Sequence, residues 1–206
     1  MVECLAIGDS CFGRAREPAE QVGTGGSQQV VSAQRARRGG RVDAGGDLVP
    51  LEEQDRAHWD RQAIDEGVAL LDAAIRRGRP GPYQVQAAIA ACHATAPAAD
   101  ATDWSQIAAL YGELVRMTPT PVVELNRAVA VAMADGPDAG LALVDELDAS
   151  GALRGYYLLA ATRADLLRRL ARPAEAAVAY REALDHAGTD AERRYLARRL
   201  AETERA

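Results

Sequence analysis

Cys92 and His93 are adjacent in the sequence, and a thiol beside an imidazole is the pair that a cysteine nucleophile and its base require. The surrounding residues predict a helix, on which neighbouring side chains point about 100° apart and do not face each other. We therefore interpret Cys92 and His93 as part of a half-buried helix face. The sequence predicts no catalytic residue.

The remaining histidines and cysteines do not form a metal-binding pattern. His58 and His186 have no cysteine or histidine at the spacing of a zinc site, although single carboxylates lie within a helical turn of them. Cys4, Cys11 and Cys92 fit neither an even disulfide set nor a metal-ligand spacing. We therefore predict no metal and no cofactor.

Two stretches near the N-terminus have residue types that contact phosphate groups in other proteins. Gly23-Thr24-Gly25-Gly26 lacks the preceding strand and the following Gly-Lys-Ser/Thr of a phosphate loop, which favours a linker. A second stretch is typical of a solvated basic tail and contains Arg35, Arg37, Arg38 and Arg41. The net charge of −6 argues against a free-standing nucleic-acid binder.

Six polar residues interrupt predicted helices that are otherwise apolar. Such groups either bond internally between structural repeats or face a ligand in a groove. Internal bonding is the more frequent arrangement, yet these residues are our candidates for contacts with a protein partner. They are Tyr83, Gln86, Asn126, Arg127, Arg163 and Asp165.

The apolar residues recur at helical spacing along most of the chain and predict an all-α fold. Aromatic residues make up only 4% of the sequence, and strong helix formers such as alanine and leucine fill the interior positions. The predicted helices cover Glu53 to Arg77, Tyr83 to Ala94, Asp103 to Met117, Val122 to Ala134, Asp138 to Asp148 and Tyr156 to Ala171, followed by one from Pro173 and one opened by Thr189 to Glu192.

A constant spacing relates the later helices. Helices open near Trp104, Asp138 and Pro173, and the interval of about 34 residues is the period of the tetratricopeptide repeat (TPR). Ile107 and Tyr111 follow Trp104 at the spacing of the TPR opening motif. We expect a right-handed stack of antiparallel helix pairs, a TPR-like solenoid, that ends in a polar helix rich in arginine and glutamate.

The N-terminal segment differs in kind from the rest of the chain. Residues 1–46 are rich in glycine and poor in large apolar side chains, so burial cannot offset the entropy that ordering would cost. We expect this segment to be disordered or to be the translation of a shifted reading frame, and residues 47–206 to form the helical domain. No stretch reaches the roughly 18 apolar residues of a membrane span, and we expect a cytoplasmic protein.

Several stretches resemble one bacterial family, the extracytoplasmic-function (ECF) sigma factors that carry a C-terminal extension of TPR-like helices. The resemblance covers roughly Arg41 to Ala206. The parts of those sigma factors that grip RNA polymerase and place a recognition helix in the −35 major groove have no counterpart in this sequence. The similar stretches are residues 41–43 (RVD), 53–56 (EQDR), 59–60 (WD), 81–91 (GPYQVQAAIAA), 102–104 (TDW), 125–132 (LNRAVAVA) and 163–170 (RADLLRRL).

The resemblance implies a protein-interaction domain that regulates or supports an ECF sigma factor during transcription initiation. It implies RNA polymerase, sigma regions or a small YCII-like protein as partners, and no direct binding of promoter DNA by this chain. The alternative is a free-standing TPR-like scaffold that binds a peptide or protein in its groove. We do not expect an enzyme, because no set of titratable residues converges in the sequence pattern.

Overall fold

The structure is a computed structural model that describes residues 36, 38–40, 42–78 and 81–205. Within these residues there are eight α-helices and no strand, which confirms the predicted all-α class. Short 3-10 turns cover Arg38–Gly40, Leu51–Glu53 and Arg56–His58. The helices are α1 (Arg61–Ile75), α2 (Pro82–Thr95), α3 (Trp104–Met117), α4 (Pro121–Asp135), α5 (Pro137–Ser150), α6 (Tyr157–Arg169), α7 (Pro173–His186) and α8 (Asp190–Arg205).

Side-chain caps and prolines fix where the helices begin. The Asp103 carboxylate accepts the Gln106 N–H at 2.9 Å at the start of α3, and prolines occupy the first turn of α2, α4, α5 and α7. At α8, Glu192 Oε2 accepts the Thr189 N–H at 2.9 Å, while the Glu192 N–H donates to Thr189 Oγ1 at 3.2 Å. This reciprocal pair is the capping box that the sequence predicts.

The helices pack in the order of the sequence. Each helix contacts the next, from α1 and α2 to α7 and α8, and α4 also contacts α6. Only Gly136 separates α4 from α5, and such short connections place successive helices antiparallel. Helices α3, α5 and α7 begin at Trp104, Pro137 and Pro173, in agreement with the predicted repeat. The chain therefore forms a solenoid-like succession of helix pairs.

The apolar core extends along the stack as a series of clusters. The first cluster lies at the start of the stack and includes Leu51, Trp59 and Ile64. The largest runs from α4 to α8, where Leu158 and Leu167 are each 0% exposed. Burial of one such leucine contributes about 1.5–3 kcal/mol. The later pairs therefore form the most extensive part of the core.

Helices α4 and α5 approach each other closely at a glycine. A Cβ built on Gly140 would lie 2.3 Å from the Ala132 Cβ and 2.7 Å from the Ala128 carbonyl oxygen. Real Cβ atoms do not tolerate such distances, so the small residues on both helices set this spacing.

The predicted start of the first helix is wrong. It was expected from Glu53, but α1 begins at Arg61. The Asp55 carboxylate accepts the Ala57 N–H at 2.9 Å, and the Asp60 carboxylate accepts the Ala63 N–H at 3.0 Å. These two caps divide the stretch into a short turn and a later helix, because a capping residue adopts an extended backbone.

Most of residues 1–46 lies outside the described residues, so the disorder expected there stays a prediction. Cys4, Cys11, Gly23 to Gly26, Arg35, Arg37 and Arg41 belong to that part. Within the described part, Ala36 is 3% exposed, and its carbonyl oxygen accepts the Asp60 N–H at 3.0 Å. Asp43 Oδ1 accepts the N–H groups of Gly45 at 2.8 Å and Asp47 at 2.9 Å, which closes a tight turn.

Crossing a bilayer requires a long apolar helix, and none of the helices in the described ranges meets that requirement.

Candidate partner-binding surface

The six candidate contact residues lie on the second helices of the first three pairs. Tyr83 and Gln86 are on α2, Asn126 and Arg127 on α4, and Arg163 and Asp165 on α6. The structure divides them into buried residues and residues that remain partly accessible. Asn126 and Asp165 are 3% and 5% exposed, whereas the other four are of intermediate exposure.

The first turn of α2 presents two partly accessible polar side chains. Gly81 caps this helix, and its N–H donates to Gln84 Oε1 at 2.9 Å. Tyr83 and Gln86 are three residues apart and share one face of the helix. The Gln86 Oε1 atom is shielded from solvent and has no hydrogen-bond donor among the described residues. This face is therefore able to accept a further hydrogen bond if the Gln86 side chain turns outward.

Asp165 bonds internally, which is the arrangement that polar groups on helix faces most often adopt. Its carboxylate accepts Arg168 Nη2 at 2.7 Å and Arg169 Nε at 2.9 Å. Burial alone would raise the pKa of Asp165, whereas the adjacent Arg169 and Arg168 guanidiniums lower it, and that pKa lies below its usual range. Asp165 is therefore ionised at neutral pH.

The charged groups around Asp165 connect three helices. Arg169 Nη1 lies 3.3 Å from the sulfur of Met133 on α4, and Arg168 interacts with the Tyr180 hydroxyl on α7. Tyr180 is 1% exposed, and burial followed by the Asp165 charge raises its pKa above the ordinary value. The Tyr180 hydroxyl therefore stays neutral, and the network joins neighbouring pairs rather than forming an external site.

Arg163 lies on the edge of a cavity between the α5–α6 connection and α7. Its Nε donates to Asp145 on α5 at 2.8 Å, and both side chains are partly exposed. The cavity has a volume of about 260 Å³. Both signs of charge line it, through Asp148, Arg154, Arg163 and Glu182, and the His186 ring also borders it. A mixed lining of this kind fits polar side chains of a protein partner better than an apolar ligand.

Residues 42–53, which we call the clasp, connect the start of the stack with its last helix. Leu51 packs in the first core cluster, while Leu48 packs against the cluster that contains Tyr195 of α8. Arg194 Nε donates to Asp47 Oδ1 at 2.5 Å, and Arg194 Nη2 donates to the Gly46 carbonyl at 3.2 Å. The clasp therefore holds both ends of the stack.

A second ion pair joins the clasp to α8. Arg199 Nη2 lies 3.6 Å from Glu53 Oε1, and Arg199 Nε donates to the Tyr195 hydroxyl at 3.3 Å. These contacts involve one side of α8, which we call the α8 face. Its residues are adjacent in sequence or three to four positions apart, so they share one side of the helix. It comprises Arg194, Tyr195, Arg198 and Arg199.

Sequence reasoning missed the clasp and assigned the arginines of α8 to a solvated end cap. Asp47 and Arg194 are 147 residues apart, so no local spacing could have associated them. The only signal in the sequence was the acidic content of residues 42–53 against the arginine-rich last helix. That complementarity does not by itself identify which charges meet.

Cys92 and His93 point to different neighbours, as expected for adjacent helical residues. The Cys92 thiol donates to Gln106 Oε1 at 3.3 Å, and burial followed by the Asp103 charge raises its pKa. The His93 ring is 0% exposed and packs edge to face on Trp104, with ring centroids 5.1 Å apart. A protonated thiol and a packed imidazole do not form an activated nucleophile.

The other histidines are exposed, and their surroundings do not favour metal binding. His58 Nδ1 lies 3.4 Å from Asp55 Oδ2, and His186 lines the cavity beside α7. Across the described part of the chain, no three His, Cys, Asp or Glu side chains converge as a metal site would require.

The clasp and α1 lie in the part of the chain that matches a known family model. Residues 28–75 match a family of unknown function, DUF6596. An uncharacterized protein of Rhizobium meliloti (strain 1021) is 45% identical over 175 residues. The match includes 85% of this chain and 41% of that protein, so the chain spans less than half of its relative's length. No solved structure matches the chain.

Proposed function

We propose that this chain is the C-terminal, regulatory protein-interaction region of an ECF-type sigma factor, acting in the cytoplasm during transcription initiation. The observation that carries the proposal is where the similar stretches lie. Residues 81–91 span most of α2, residues 125–132 lie within α4, and residues 163–170 cover the second half of α6 and its end. The resemblance therefore involves the framework of the stack.

The architecture supports a binding role. Solenoid-like stacks offer extended surfaces on which other macromolecules are held. The second helices present Tyr83, Gln86, Arg127 and Arg163 in partly accessible positions, and Arg163 lies at the cavity next to α7. Such surfaces suit a protein partner, for which core RNA polymerase, sigma regions and a small YCII-like protein are the candidates.

Two further observations agree with a role that excludes direct promoter binding. The net charge of −6 disfavours contact with DNA phosphates. More than half of the Rhizobium meliloti relative lies outside the match, so a chain similar to this one occurs within a longer protein. In the proposal, sigma regions for promoter recognition would lie in such additional sequence.

Binding to purified partners tests the proposal. The full chain is immobilised, and its affinity is measured by biolayer interferometry for bacterial core RNA polymerase and for the unmatched part of the Rhizobium meliloti relative. We expect saturable binding to at least one of them. The double variant Tyr83→Ala with Gln86→Ala should weaken it about 10-fold or more if this face contributes an anchor at the interface.

The matched control is the double variant Gln62→Ala with Asp65→Ala. These two residues are also three apart on one helix, but they are exposed on α1, so the change should leave binding unchanged. Lack of binding to both proteins, together with saturable binding of a peptide ligand, would contradict the sigma-factor role. That result would favour the free-standing scaffold.

A further inference from the structure

The clasp contacts the α8 face mainly through charge. Two carboxylates, Asp47 and Glu53, meet Arg194 and Arg199, and the Gly46 carbonyl accepts a further hydrogen bond from Arg194. Leu48 adds an apolar contact beside them. A short acidic segment, folded as a turn followed by a 3-10 turn and carrying one apolar side chain toward the core, therefore already occupies this helix face.

The two halves of the clasp differ in how firmly they are held. Leu51 is 7% exposed within the first core cluster, and Gln54 Nε2 donates to the Val49 carbonyl at 3.0 Å. In contrast, the Asp47 and Arg194 side chains are 37% and 51% exposed, where solvent screens an ion pair. The Asp47 half can therefore leave α8 while the Leu51 half stays anchored.

The backbone before Asp47 allows this movement. Gly46 has a φ of 78°, a left-handed conformation that glycine adopts without strain, and nothing lies within 4 Å of the site of a Cβ there. The Asp43 carboxylate accepts hydrogen bonds from Gly45 and Asp47, which both lie within the clasp. These bonds therefore persist when the Asp47 half of the clasp moves as a unit.

We propose that the α8 face is a binding site for an acidic segment of a protein partner, and that the clasp occupies it as an internal substitute for that segment. A partner segment with a carboxylate followed by a leucine would repeat the contacts that Asp47 and Leu48 make in the half of the clasp that leaves. The inference requires a protein partner but does not depend on the sigma-factor role.

Carboxylates fit this face better than nucleic-acid phosphates do. Arg194 and Arg199 are already paired with carboxylates at hydrogen-bonding or ion-pair distance, and Glu202 Oε2 also accepts Arg199 Nη1 at 3.1 Å. The chain as a whole is acidic, with a net charge of −6, which opposes the approach of a polyanion over long range. A short acidic segment carries fewer charges than a nucleic acid, so the acidic chain repels it less.

A peptide in trans tests the site. The probe is a fluorescein-labelled synthetic peptide with the sequence of residues 42–53, and binding to the full chain is measured by fluorescence anisotropy. In the wild-type chain the clasp competes at a high effective concentration. We expect Asp47→Arg, which places a second cation beside Arg194, to bind the peptide about 10-fold or more tightly than wild type.

Three variants complete the comparison. Asp65→Arg makes the same charge change at an exposed site on α1 and should behave as wild type. Asp47→Ser removes the carboxylate without adding repulsion and should give an intermediate affinity. Arg194→Asp added to Asp47→Arg restores an ion pair in reversed order, closes the clasp and should abolish the gain. Far-UV circular dichroism verifies that each variant is folded.

The inference is overturned if wild type and Asp47→Arg bind the peptide equally, or if neither binds. It is also overturned if the double variant binds as tightly as Asp47→Arg, since the peptide would then bind elsewhere. A short DNA duplex that binds Asp47→Arg more tightly than the peptide does would assign the α8 face to nucleic acid instead.

Discussion

Asp165 shows how a single polar residue can connect neighbouring helix pairs. It is 5% exposed, and its carboxylate accepts hydrogen bonds from Arg168 and Arg169 on the following turn. Removal of one member of a buried ionic group costs more than the pair contributes, because the remaining charges lose their partner. Asp165 is therefore the polar residue on which the later part of the stack depends most.

We expect Asp165→Asn to lower the free energy of unfolding by about 2–4 kcal/mol at neutral pH, since both guanidiniums lose a charged acceptor. Urea unfolding followed by circular dichroism measures the change. Asp145→Asn is the control, because its ion pair with Arg163 is partly exposed and should contribute at most about 1 kcal/mol. Equal losses in both variants would contradict the central role of Asp165.

The effect of Asp165→Asn should depend on pH. The pKa of Asp165 is lower in the folded state than in the unfolded state, so its contribution is fully present above the unfolded pKa of about 4. It is lost as the pH falls through that value toward the folded pKa. The difference in unfolding free energy between wild type and variant should thus be constant near neutral pH and shrink in acid.

At the scale of helices, the contact between α4 and α5 depends on the absence of a side chain at Gly140. An added methyl group would meet the Ala132 Cβ and the Ala128 carbonyl at distances that force the helices apart. The single-residue connection at Gly136, with a φ of 109°, leaves little freedom to absorb such a shift.

Gly140→Ala should therefore destabilise the protein by about 1–3 kcal/mol through overpacking. Gly112→Ala provides a matched control, because Gly112 lies inside α3 and nothing lies within 4 Å of the added Cβ. The control should stabilise the protein by about 0.4–1 kcal/mol, since alanine reduces the entropy of the unfolded chain. Thermal melts compare the two, and opposite signs are expected.

The sequence predicted most helices well, and the exception has a physical cause. Tyr83 to Ala94 was expected where α2 covers Pro82–Thr95, and Val122 to Ala134 where α4 covers Pro121–Asp135. Proline, glycine and apolar spacing are local signals in the sequence, so they predict the ends of such helices accurately. The start of α1 was wrong because apolar spacing does not reveal that Asp60 caps the helix through Ala63.

The candidate site was predictable only in part. The spacing of Asp165, Arg168 and Arg169 is that of side chains on one helix face, so an internal network was foreseeable. Exposure differs even between neighbours such as Asn126 and Arg127, because packing of the whole stack decides which side of α4 is covered. The contacts of Asp47 and Glu53 with α8 depend on tertiary structure alone.

For the whole molecule, the clasp should make the two ends unfold together. Repeat stacks behave as nearest-neighbour systems, in which distant pairs unfold separately unless a contact couples them. The contacts of Asp47 and Glu53 with α8 add such a coupling to the successive packing of the helices.

We expect the double variant Asp47→Ala with Glu53→Ala to separate two transitions that coincide in the parent chain. In a Trp104→Phe background, fluorescence of Trp59 reports the start of the stack, while circular dichroism reports all helices. Asp65→Ala with Glu146→Ala removes two exposed carboxylates elsewhere and should leave the transitions coincident. Coincident transitions in the clasp variant would contradict the coupling.

The position of the clasp also affects the order of events during synthesis. Asp47 is made 147 residues before Arg194, so the clasp leaves the ribosome long before α8 exists. At about 5–20 residues per second, this interval is roughly 7 to 30 s. A nascent chain therefore exposes the acidic segment while the earlier helices assemble, and closure by α8 is among the last steps of folding.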